Sequence, residues 1–152
     1  MANKGLRTFP LDCILQDDIK LIEDEFGLTG FGIIVKLLQK AYGEYGYYLE
    51  WDSEVALSFA NRNCCGVGCN VVLEVVRTAL KRNIFNQEMY DKYKILTSKR
   101  MQETYLLAFK RKQRIDFIVD YSLLNADKLP ENVYKIEKNV YKNQENVCNS
   151  KG

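Results

Sequence analysis

The densest reactive chemistry in this chain lies in RNCCGVGCNVV (62–72), where Cys64, Cys65 and Cys69 share six positions. Thiolates this close are candidate zinc ligands, but a structural zinc site needs four donors in tetrahedral reach. Adjacent Cys64 and Cys65 do not chelate as a C-x2-C pair does, and a fourth sulfur would have to come from Cys13 or Cys148. Histidine is absent, which removes the commonest imidazole ligand and the commonest general base together. The competing reading is a turn between two helices. Gly66 and Gly68 supply the backbone freedom such a turn needs, and small thiols pack well beside a helix start. The turn is the stronger reading, and no metal or cofactor is expected.

A second constellation follows directly, in CNVVLEVVRTALKRN (69–83). At about 100° per residue, Val71, Val72, Leu73, Val75, Val76, Ala79 and Leu80 cover an arc of roughly 200°. Asn70, Glu74, Arg77, Thr78 and Lys81 fall opposite it, so one side packs and the other is presented. Arg and Asn can make paired hydrogen bonds to base edges in a DNA major groove. Arg82 lies near the boundary, within reach of a phosphate. Glu74 counts against DNA unless it accepts from a cytosine amino group. A surface helix with a charged outer face is the plain alternative. Further cations sit where phosphate contacts would be useful: Arg62 at the close of the preceding helix, Lys92 and Lys94 in a predicted wing, and Lys99 and Arg100 just after it. The run KRKQR (110–114) either continues that track or is a solvated stretch balanced by Asp116 and Asp120.

The charge distribution supports an anionic partner. The net charge of +2 over 152 residues conceals −5 in residues 1–60, +8 in residues 61–114 and −1 in residues 115–152. A basic middle inside a near-neutral chain suits nucleic acid. An apolar fraction of 47% with 28% charged residues fits a globular protein with a real core. No stretch approaches the roughly 20 apolar residues of a membrane span. The first residues lack a secretory apolar run, so the expected location is cytoplasmic. Five cysteines in that compartment argue against a disulfide framework.

The elements that would hold these residues follow from local signals. Phe9 precedes Pro10 and is extended. A short acidic helix at 17–26 stops at Gly27, and a second at 29–46 restarts with Thr29 as N-cap. The aromatic YYLEW (47–51) reads as a strand. Asp52 or Ser53 caps a helix to Arg62. The helix at 69–83 comes next, then two short strands (84–85 and 94–97) around a polar loop, then a long helix over 98–121. Beyond Pro130, NVYKIEK is echoed by NVYKNQE, and valines at 133, 140 and 147 give a heptad-like spacing too short for a coiled coil. The predicted architecture is mainly α with a small β-sheet (α+β), a winged helix-turn-helix with extra N-terminal and C-terminal helices. It occupies residues 1–122, and 123–152 read as an Asn/Lys-rich linker or tail. The helix at 52–62 supports and 70–82 recognises.

FPLD (9–12), KLIEDEFGLTGFGIIVKLLQKAYGEYGYYLEWD (20–52) and ILTSKRMQETYL (95–106) together resemble the N-terminal winged-helix domain of DnaD-like phage and bacterial replication proteins. The resemblance spans roughly residues 8–122. It implies replication initiation or primosome assembly, DNA binding and self-association, and carries over no mapped binding residue. No DnaD-like second domain follows residue 130, so the chain reads as an excised fragment or a short relative. The cysteine-rich turn also departs from the family pattern.

The expected function is therefore a DNA-binding domain of a phage- or mobile-element-type replication protein. Duplex is favoured as partner, with single strands, further copies of the chain and replication proteins as others. One alternative is an interaction module without DNA contact, using Tyr42, Tyr45, Tyr47, Tyr48 and Trp51 if exposed. Another is a transcriptional regulator of the same fold. An enzyme is not expected, since no phosphate-cradling glycine loop and no nucleophile motif occurs.

Overall fold

The computed structural model describes residues 5–14, 17–63, 66–109 and 114–137. Helix α1 (Asp17–Glu44) turns Ile22, Ile33, Ile34, Leu37 and Ala41 into the core. It is kinked at Gly27, whose φ of 68° and ψ of −157° lie outside helical space and suit glycine alone. The two predicted helices are thus the two arms of one kinked rod, with Thr29 inside it. Gly30 lets the second arm close on the first, because a Cβ there would lie 2.5 Å from the Phe26 Cβ.

Strand β1 (Leu49–Glu50) leads into α2 (Ser53–Asn63), capped by Asp52, whose Oδ1 accepts from the Val55 N–H at 2.8 Å. A turn leads to α3 (Cys69–Lys81). Asn83, with φ of 62°, ends that helix, and the Ile84 N–H donates to the Ala79 carbonyl at 2.9 Å. Strand β2 (Ile95–Leu96) pairs antiparallel with β1, Leu49 opposite Leu96 and Glu50 opposite Ile95. The pairing expected between the YYLEW strand and 94–97 is therefore present. The fold is α+β, mainly helical with two small two-stranded sheets.

Three expectations are corrected. The polar segment 86–93, expected as a wing loop, is helix α4 (Gln87–Tyr93). The Asn86 side chain caps it by accepting from the Met89 N–H at 2.9 Å, and Lys94 closes it in a left-handed conformation. Residues 84–85 form no strand. The Asn86 N–H donates to the Thr97 carbonyl at 2.7 Å, a rung of what a wing hairpin would have supplied. The long helix expected over 98–121 stops early: α5 runs only from Lys99 to Leu107, capped by Ser98. Strand β3 (Ile115–Ile118), within the stretch expected as helix, pairs in parallel with β4 (Val133–Ile136), which lies within residues 123–152.

Two apolar clusters result. One joins α1, α2 and α3, with Phe59, Val72, Val75, Ala79 and Phe85 at its centre. The other is aromatic, with Tyr47, Tyr48, Tyr105, Phe117 and Tyr121 in mutual ring contact. Tyr42 and Trp51 are buried as well, so among the five aromatics considered for an interaction surface only Tyr45 is even half-exposed.

Gln102, on α5, ties that helix to the segment that follows β3. It is fully buried; its Nε2 donates to the Thr97 Oγ1 at 3.2 Å and the Tyr121 carbonyl at 2.7 Å, and its Oε1 accepts from the Leu123 N–H at 2.8 Å. Thr97 in turn donates to the Tyr47 carbonyl at 2.6 Å, and the Tyr47 hydroxyl accepts from the Ile118 N–H at 3.0 Å. Buried polar groups are retained when partnered in this way.

Candidate nucleic-acid interface

Helix α3 is set by its own periodicity. Val72, Val75, Val76, Ala79 and Leu80 are buried against α1 and α2, with Val72, Val75 and Ala79 fully so. Each buried valine or leucine contributes about 1.5–3 kcal/mol. That burial fixes the rotation of the helix, and rotation decides which side chains reach solvent. Asn70, Glu74, Arg77, Lys81 and Arg82 are exposed and Thr78 is half-buried at the rim. The phase read from the wheel is the phase observed. Val71 departs from its expected place in the apolar arc: it is 39% exposed beside Asn70 and adds an apolar contact to the presented face.

Among the described residues, no ion pair engages Arg77, Lys81 or Arg82, nor Glu74 three residues before Arg77. An arginine fork, an amide and an ammonium along one helix stripe can bind base edges and phosphate oxygens at once.

The remaining candidates divide. Lys92 pairs with Glu88 at 2.8 Å, and that carboxylate raises the ammonium pKa above its usual value. Lys94 places its Nζ 4.6 Å from the Tyr90 ring centroid. Both belong to a helix and its cap, so the predicted wing contacts do not exist in that form. Arg100 pairs with Asp12, clasping the N-terminal segment whose Phe9 stacks on Tyr42 at 4.9 Å. Arg62 lines a groove with Lys40, Glu44, Glu50 and Glu54, where Lys40 pairs with Glu44 at 2.6 Å. Lys99 borders a groove with Glu103, Leu107 and Leu124. The structure therefore brings Asn70, Arg77, Thr78, Lys81 and Arg82 together on one helix and disperses Arg62, Lys92, Lys94, Lys99 and Arg100.

Of the KRKQR run, only Arg114 lies among the described residues. It pairs with Asp116 at 2.8 Å and stacks over Tyr134 at 4.1 Å. Cys64 and Cys65 lie outside the described residues. Among those described, no group of three or more His, Cys, Asp and Glu gathers at metal-binding range, and no helix is long and apolar enough to cross a membrane.

Comparison with known proteins adds identity without adding a mapped site. The chain is 35% identical over 124 residues to an uncharacterised phage-related protein Lin1244/Lin1753 of Listeria innocua, an alignment covering 80% of this chain. It spans only 40% of that relative. No solved structure matches. Residues 9–101, from the N-terminal clasp through α3 to the first turn of α5, match the sequence profile described as Lin1244/Lin1753-like, N-terminal. The chain belongs to the Lin1244/Lin1753-like N-terminal domain family.

Proposed function

We propose that this chain is a DNA-binding domain of a phage-type replication protein, and that α3 enters the major groove of duplex DNA. The observation that carries the reading is the contrast across α3: a fully apolar inner face and an outer face whose arginines and lysine enter no ion pair among the described residues. Arg77 is placed to read guanine, Asn70 to read adenine, and Lys81 and Arg82 to hold phosphates. The helix–strand–helix–turn–helix order is the one a winged helix uses, with α4 standing where its wing would be. The replication assignment rests on the DnaD-like resemblance and on the phage-related character of the Listeria innocua relative.

The test is guanine methylation on duplex DNA. A helix in the major groove shields guanine N7, which lies only there. Protection of N7 in a discrete tract is the expected result. Binding that leaves every N7 reactive would remove α3 from the groove.

An assembly module is the second reading, favoured by two exposed leucines. Leu28 follows the α1 kink at 80% exposure, and Leu107 closes α5 at 85%. Sedimentation of the chain without DNA tests it. A monomer at high concentration would count against it.

A further inference from the structure

The reading above leaves a carboxylate unexplained. Glu74 stands in the middle of the presented stripe, between Asn70 and Thr78 and three residues before Arg77. A face built only to attract phosphates would not hold it, since it repels them. A carboxylate present only to stabilise the helix would pair with a neighbour, as others here do. Lys20 binds Glu23 and Asp24, Lys40 binds Glu44, and Lys92 binds Glu88. Glu74 has Arg77 one turn away and does not pair with it. Its inward neighbours Val75 and Val76 are buried, so the helix cannot rotate to hide it. What is left is an acceptor-only group facing wherever α3 faces.

Base edges give such a group one good partner. In the major groove, cytosine N4 and adenine N6 both present amino donors, but the acceptor N7 beside the adenine donor repels a carboxylate; guanine offers only acceptors, and thymine an acceptor and a methyl. We propose that Glu74 is a specificity-determining residue, whose carboxylate, in no ion pair among the described residues, accepts from a cytosine N4 amino group and rejects duplexes lacking it at that position. The inference rests on α3 docking in the major groove. It adds a division of labour: Arg77, Lys81 and Arg82 supply attraction, and Glu74 makes that attraction conditional on sequence. The neighbouring Val71, exposed on the same end of the helix, suits a thymine methyl.

The experiment is selection of bound duplexes from a randomised pool by the whole chain, in native form and as Glu74→Gln and Glu74→Ala, followed by anisotropy on the selected and scrambled sequences. The native chain should enrich one invariant cytosine and bind it on the order of tenfold more tightly than the same duplex with that base pair changed. Glu74→Gln should bind scrambled duplex more tightly than native does, because a repelling charge is gone. It should also shift the preferred base from cytosine to adenine, whose N6 and N7 suit a carboxamide. Glu74→Ala should keep the gain in affinity and show no preference at that position.

A native chain that binds duplex with no invariant cytosine would overturn the role of Glu74 and leave the groove reading standing. So would a Glu74→Gln pool carrying the native motif unchanged. Failure of the native chain to retain any duplex would remove both. Unchanged thermal unfolding of the exposed-site variants separates these outcomes from misfolding.

Discussion

Helices α3 and α4 are neighbours in the chain and both carry exposed cations, yet they use them in opposite ways. On α3, Arg77 and Lys81 project from a face with no internal ion pair among the described residues. On α4, Lys92 is engaged by Glu88, and Lys94 at the cap lies over Tyr90. Exposed intrahelical pairs contribute only a few tenths of a kcal/mol. They do, however, lower the charge a phosphate would feel. Counting basic residues in the stretch 61–114 would weight the two helices alike. The partnering separates a surface kept available from one already satisfied.

The largest effect should come from the available surface. Arg77→Ala combined with Lys81→Ala is expected to weaken duplex binding by about two orders of magnitude, since each contact is worth roughly 1–3 kcal/mol. Thermal unfolding should move by no more than about 0.5 kcal/mol, because neither side chain packs. Unfolding of this variant would show that the helix phase is wrong.

Next in size, Gln102→Ala strips three hydrogen bonds from a fully buried site and should cost about 2–3 kcal/mol in urea unfolding. If α3 alone carries recognition, the folded fraction of this variant should bind duplex as the native chain does. A proportional loss of affinity would tie the C-terminal segment to the interface.

A smaller effect is set by alkali. Burial raises the Tyr121 pKa from 10.0 to about 12, with Glu50 and Asp120 adding to it, and burial raises Tyr42 as well. Between those pH values the folded chain holds a proton that the unfolded chain has lost. The neutral-phenol contribution is therefore complete below pH 10 and falls as pH rises toward 12, by roughly 2 kcal/mol for Tyr121. Chemical denaturation across that window should show the decline, and Tyr121→Phe should flatten it. A native profile that stays level would contradict the burial assigned to this ring.

The smallest expected effect sharpens the comparison most. Lys92→Ala with Lys94→Ala should change duplex affinity by less than about twofold, against the hundredfold loss on α3. Equal losses from the two double variants would erase the distinction between the helices.

What could be read from the chain tracks the range of the interactions. The phase of α3, the interruption at Gly27 and the Asp52 cap all come from signals within a few residues, and all are present in the fold. Helix α4 also had a local signal, an asparagine cap three residues before Met89. At seven residues, however, it spans barely two turns, and its polar composition reads as a loop. The parallel pairing of β3 and β4 had no local signal at all. IDFI and VYKI each need the other to make a ladder, and no hairpin turn joins parallel strands. Gln102 carries no local signal of its burial, because its partners at 97, 121 and 123 come together only in three dimensions.

The candidate site divides along the same line. Its α3 members were legible from periodicity. The partner of Arg100 and the groove that Arg62 lines were not, because Asp12, Lys40, Glu44 and Glu50 come near them only through the fold.

The central claim, that α3 presents free cations to a polyanion, is tested most directly by fluorescence anisotropy of labelled duplex over a salt series. Log affinity should fall linearly with log salt concentration, and the slope should become shallower by one to two when Arg77 and Lys81 are replaced. Absence of binding to duplex or single-stranded DNA at low salt, or a slope untouched by the double variant, would contradict it.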